Sequence, residues 1–96
     1  MDEIRKAIDD LDRSIVSQIR LRYQYISQAG LTKTDRNKIL DQERKEKVID
    51  NAVREAVASG MPYEGIGAVE VIWETLVNSS INYEYRVFDE ANNPGK

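Results

Sequence analysis

The sequence contains no cysteine and no histidine. Without cysteine there is no disulfide, no thiolate metal ligand and no thiol nucleophile. Without histidine there is no imidazole ligand, no imidazole general base and no Ser-His-Asp triad. Any catalysis falls to Arg, Lys, Asp, Glu, Ser, Thr and Tyr, and neither a metal nor an organic cofactor is expected. Proline occurs only twice in 96 residues, so long stretches are free of helix breakers. Aromatics make up 7% against 32% charged residues, a balance that suits amphipathic helices better than a β-sandwich. The net charge of −3 and a pI near 5.0 speak against nucleic acid or an anionic membrane surface as partner. No apolar run reaches membrane-spanning length and no signal-peptide pattern opens the chain. A soluble, cytoplasmic, single-domain protein is the expectation, with the domain over residues 1–90 and a frayed tail over 91–96.

What is present is helical periodicity. From Asp2 to Ala29 there is no Pro or Gly, and Ile4, Ile8, Leu11, Ile15, Ile19 and Ile26 mark one face of a helix. A helix of that length spans about 42 Å at ~1.5 Å per residue. A compact chain of this size has a radius of gyration of only about 13 Å. The first helix therefore projects beyond a monomer's own core, and its far end requires a second copy to cover it. Gly30 to Leu40 is polar and reads as a loop or weak helix extension. A second helix begins at Asp41, carries Val48, Ile49, Ala52, Val53, Ala56 and Val57, and ends at Ser59-Gly60. A third runs from about Pro62 to Asp89 with a stripe of Ile66, Val69, Ile72, Trp73, Leu76, Tyr83 and Val87. The fold class is all-α: three helices per chain, in an intertwined homodimer.

The informative positions are those where polar residues interrupt the stripes. Arg22 falls between Ile19 and Ile26 on the core-facing side. Lys33 follows eleven residues later, close to the same face if the helix continues. Arg44 lies four residues after Leu40 and four before Val48. Ser80 and Glu84 continue the spacing of Leu76. All five are expected to project into one interior. An unpaired buried cation costs several kcal/mol, on the order of a broken buried ion pair. Asp41 and Glu84 offset part of the charge, and a ligand with two carboxylates would offset the rest. Arginine's planar fork matches a carboxylate bidentately. A small dicarboxylate is thus the expected ligand. Taken singly, each of these residues also fits a snorkelling side chain or a structural ion pair. Lys45-Glu46-Lys47 and Asp9-Asp10 read as solvated faces.

The run Ile4-Arg5-Lys6-Ala7-Ile8-Asp9-Asp10-Leu11-Asp12, followed by Arg22, Lys33, Asp41-Gln42-Glu43-Arg44 and the Ser80…Glu84 region, resembles the AroQ-class chorismate mutase superfamily. The resemblance covers roughly residues 2 to 88. It implies a domain-swapped dimer of three-helix chains and a Claisen rearrangement of chorismate to prephenate. That reaction needs no nucleophile, metal or cofactor, only a restrained conformer and stabilised charge. Arg5 and Arg22 lie seventeen residues apart, about 25 Å along a straight helix, too far to share one small ligand within a chain. The resemblance implies that Arg5 comes from the other subunit. By the same analogy Arg22 and that Arg5 hold the two carboxylates and Lys33 donates to the ether oxygen. Arg44 supports a carboxylate, and Asp41 and Ser80 meet the ring hydroxyl or the ring-side carboxylate.

Two positions depart from the family pattern. Many chorismate mutases carry a glutamate for the ring hydroxyl where this chain has Lys45, and a glutamine facing the ether oxygen where it has Glu84. A charged carboxylate there opposes the developing negative charge, so activity is expected to be favoured by acidic pH. Isochorismate pyruvate lyases share the fold and basic pocket. Tyr25-Ile26-Ser27-Gln28-Ala29 and the absence of glutamate after Arg44 lean toward that branch. A mutase for the 4-amino analogue of chorismate and a non-catalytic helical dimerisation module complete the alternatives.

Overall fold

A computed structural model describes residues 1–93 and contains, in order, helix α1 (Asp2–Thr32), a 3-10 turn (Arg36–Lys38), helix α2 (Gln42–Ala58) and helix α3 (Tyr63–Asn92). No strand occurs among the described residues. Helix α3 packs against both α1 and α2, so the chain is a layer of three helices with the longest contacts made by the last.

Local chemistry accounts for most of the boundaries. Asp2 and Glu3 place negative charge at the positive end of the α1 dipole. The helix stops where Lys33 turns extended, at φ −67° and ψ 141°. Gly30 does not break it: of the loop or weak helix extension expected from Gly30 onward, the residues to Thr32 are helix. A methyl group at Gly30 would lie 3.1 Å from both the Glu84 carbonyl oxygen and the Val87 side chain. The glycine therefore lets α1 approach α3 closely, and that packing outweighs its weak helix propensity. Asp35 caps the 3-10 turn by accepting from the Asn37 amide at 2.9 Å. Asp41, expected near the start of the second helix, is the cap of α2 and accepts from the Arg44 amide at 3.0 Å. At the other end the Ser59 hydroxyl donates to the Ala56 carbonyl at 2.7 Å. Gly60 then turns the chain at φ 76°, a left-handed conformation that glycine adopts without penalty. Pro62 caps α3 from an extended conformation. Helix α3 runs three residues beyond the expected end at Asp89. Ala91 and Asn92 of the expected frayed tail are thus helical, and the Asn92 side-chain amide donates to the Phe88 carbonyl at 2.8 Å. Pro94, Gly95 and Lys96 lie outside the described residues.

The core is thin. Its buried apolar side chains are Ile39, Ala56, Leu76, Val77 and Phe88, and among the described residues no large side chain is wholly enclosed. Of the expected α3 stripe, Leu76 is buried while Ile72 remains 49% exposed. Val77 and Phe88 are buried instead, because α3 sits between two helices and presents a wider apolar face than one stripe. On α1, every residue through Gln18 is exposed, including Ile8 at 51% and Leu11 at 63%. The Cα radius of gyration is 16.5 Å and the extents are 55 × 29 × 16 Å. Against about 13 Å for a compact chain, this is a flat slab with one long helix extending from it.

Polar contacts tie the layer together at the end near the α1–α2 connection. Tyr23 and Tyr83 meet edge to face at 5.6 Å, and the Tyr23 hydroxyl donates to Ser79 at 2.6 Å. Arg36 lies over the Tyr85 ring at 4.5 Å and donates to both carboxylate oxygens of Asp89, at 2.9 and 3.3 Å. This bond holds the Asp89 carboxyl below its usual range. These contacts seat the connecting segment on α3, with Ile39 driven into the core. No helix among the described residues is long and apolar enough to cross a membrane.

Candidate active site

The segment seated by Arg36 and Ile39 forms one wall of a cleft of about 320 Å³. Helix α1 contributes Arg22 and Ile26, and the connection contributes Lys33, Lys38, Ile39 and Asp41. The first turns of α2 add Arg44, Lys45 and Val48, and α3 closes the floor with Val77, Ser80, Ile81 and Glu84. Seven of the eight residues expected at the site from sequence meet here. The eighth, Arg5, is exposed near the start of α1 and does not reach the cleft of its own chain.

The floor of the cleft is an organised polar network. Ser80 is 3% exposed. Its hydroxyl donates to the Leu76 carbonyl at 2.7 Å, and its oxygen accepts from Arg22 Nη1 at 2.6 Å. The serine proton is thus spent on the helix backbone and a lone pair on the guanidinium, which fixes Arg22 in direction. Burial lowers the pKa of Arg22 from its ordinary value, with the Arg44 charge acting the same way and Tyr23 opposing. Arg22 stays cationic at neutral pH. The direction of the shift shows that its charge is held at a cost a bound anion would relieve.

One turn further along α3, Glu84 is 6% exposed and accepts from Lys33 Nζ in a close ion pair. Lys33 is not on α1, as continuation of the helix would have placed it, but immediately after its end. The extended conformation there carries its side chain across to α3. No other cation of the described residues pairs with Glu84.

On α2 the expected order of burial is reversed. Arg44, read as core-facing, is exposed, while Lys45, read as part of a solvated run, is half-buried. A one-residue step turns the helix by about 100°, and α3 covers the face on which Lys45 lies. Both still line the cleft. Asp41 has one carboxylate oxygen committed to the Arg44 amide and is otherwise exposed. Lys38 is a cleft residue that periodicity did not single out. It lies in the 3-10 turn, where helical spacing carries no information, and its basic character was the sole signal.

A second groove of about 460 Å³ lies between α2 and α3 and shares Arg44 and Val48 with the cleft. Ala52, Ala56, Met61, Val69 and Trp73 make it apolar. It is larger, but its single cation and lack of convergent polar groups make it a packing surface rather than a seat for charge chemistry.

The arrangement of Arg22, Arg44 and Lys33 around a floor of Ser80 and Glu84 can hold carboxylates and place an ammonium over a developing negative charge. Comparison with curated proteins and with solved structures gave no match. The family model for chorismate mutase type II matches residues 4–85, a span that begins at the first turn of α1 and includes every residue of the cleft. On that match over most of its length, the chain belongs to the chorismate mutase type II family.

Proposed function

We propose that the protein is a chorismate mutase that converts chorismate to prephenate as a homodimer. The observation that carries this reading is the convergence of Arg22, Lys33 and Arg44 on one cleft in a chain of this family. The reaction is a concerted rearrangement in which the ether C–O bond breaks as a C–C bond forms, with no proton lost or gained. The protein needs only to hold the compact conformer and stabilise charge at the ether oxygen. In this reading Arg22 binds one carboxylate and Arg5 of a second copy the other. Lys33 donates to the ether oxygen once released from Glu84, and Arg44 adds a further cation for the carboxylates. The free oxygen of Asp41 accepts from the ring hydroxyl. Both hydrogen bonds of Ser80 are spent within the chain, so its part is to hold Arg22.

The second copy is supported by exposure. Ile4, Ile8, Leu11 and Ile15 are all more than half exposed along one face of α1, a stripe whose burial would contribute roughly 1.5–3 kcal/mol per side chain. Crossing of two such helices would also bring a foreign Arg5 to each cleft.

Isochorismate pyruvate lyase is the second reading. It is favoured by Lys45, a donor without acceptor capacity where a ring hydroxyl would otherwise meet a carboxylate. The 4-amino analogue is disfavoured by the same residue, because an ammonium substituent would face a cation. A non-catalytic module is favoured only by the Lys33–Glu84 pair, which fills the cleft's centre.

The test is to incubate the protein separately with chorismate and isochorismate and identify the products. Saturable formation of prephenate, lost in Lys33→Ala, establishes the mutase. Salicylate and pyruvate from isochorismate alone establish the lyase. Turnover of neither removes both.

A further inference from the structure

Five cations line the cleft against two acids, and both acids are already engaged. Glu84 is taken by Lys33, and Asp41 gives an oxygen to the α2 cap. Arg22, Lys38, Arg44 and Lys45 form no ion pair with any acid among the described residues. Arg22 and Arg44 also oppose each other's charge. A ring dicarboxylate would bring two negative charges to five cations and two acids, which leaves one positive charge unanswered before Arg5 of a second copy is counted. The cations with no part in the dicarboxylate reading, Lys38 and Lys45, both belong to the segment that leads into and begins α2. Lys45 is half-buried, its stem covered at the cleft wall, and its ammonium has no acid partner among the described residues.

We infer that the Lys38–Lys45 side of the cleft is a third anion subsite, and that the site takes a small ring acid bearing three anionic groups in preference to one bearing two. This rests on the dicarboxylate reading of the cleft only in assigning two of the three groups to Arg22, Arg44 and Arg5 of a second copy. A substituent that is merely a hydroxyl gains one hydrogen bond at Lys45. An anionic substituent gains that bond and in addition the attraction of its charge to both ammoniums. The cleft's volume of about 320 Å³ lies at the small end of ligand sites, ~300–1,000 Å³, and admits a single six-membered ring with short acidic arms.

The experiment is calorimetric titration of the full chain, at constant ionic strength, with isophthalate and with trimesate. These are flat rings of the same size with two and three carboxylates. The expected result is trimesate binding about tenfold more tightly than isophthalate, the scale of one added hydrogen bond to a charged group. In the Lys38→Gln, Lys45→Gln double variant that ratio should fall to about twofold or less, with isophthalate affinity retained within about threefold. Neither lysine's ammonium has a hydrogen-bonded partner among the described residues, and a thermal melt of each variant confirms the fold. Equal affinities in the unmodified protein overturn the inference. So does a trimesate preference that survives in the double variant, which would assign it to the general positive field. Absence of binding by either acid overturns it as well. Chorismate turnover is measured in parallel. Turnover without the preference removes this inference and leaves the mutase reading. The preference without turnover does the reverse.

Discussion

Replacing Glu84 with glutamine removes the charged acceptor that holds Lys33, and the consequence for rate can be sized from the cleft. The Glu84 side chain is 8% exposed and that of Lys33 30%, so water does not dissolve the pair as it would at the surface. In the mutase reading, a Lys33 held by Glu84 is not free for the ether oxygen, and the carboxylate's negative charge would stand against the charge that develops there. A hydrogen bond to a charged group contributes about 1.5–3 kcal/mol, which corresponds to roughly 10- to 150-fold in rate. That range is the expected gain in kcat/KM for Glu84→Gln at neutral pH. The assay is the initial rate of chorismate loss at that pH for both proteins. A variant no faster than the unmodified protein would refute the reasoning.

Three further outcomes are expected. Arg22→Leu should abolish turnover with the thermal midpoint unchanged or raised, because Arg22 carries a partly desolvated charge with no acid partner and a leucine there buries without that penalty. A drop in the midpoint of several degrees would show that the guanidinium is structural. Gly30→Ala should destabilise the fold by about 1–3 kcal/mol in urea melts, since the added methyl meets a backbone carbonyl at 3.1 Å that cannot yield as a side chain would. A neutral result would mean that α1 shifts freely along α3. Asp89→Asn should lower stability at neutral pH. The Arg36 bond depresses the Asp89 carboxyl, so its contribution is present above the unfolded carboxylate value of ~3.9 and is lost as pH falls through the lower folded one. Melting curves of the two proteins should therefore converge below about pH 4, and a constant offset to pH 2 would argue against it.

Much of this molecule could be read along the chain, because the signals concerned are local. A stripe at helical spacing, Asp41 before α2, Ser59-Gly60 and Pro62 after it each act within a turn or two, and they placed three helices to within a few residues. The set of polar interruptions was legible for the same reason. Arg22, Ser80 and Glu84 stand out because each replaces an apolar residue in a periodic pattern. Contacts across the chain had no such signal. Lys33 meets Glu84 from 51 residues away and Arg22 meets Ser80 from 58. Neither pairing is written in spacing, so only the packed structure shows that the Lys33 ammonium is held by a carboxylate. The same holds for Gly30, which stays helical because α3 lies against it, and for Lys38, which enters the cleft because Ile39 anchors the turn that carries it. Periodicity assigns a residue to a face. Which face another helix covers, as in the exchange of burial between Arg44 and Lys45, is decided only when the helices pack, since a single residue's step turns the side chain by about 100°.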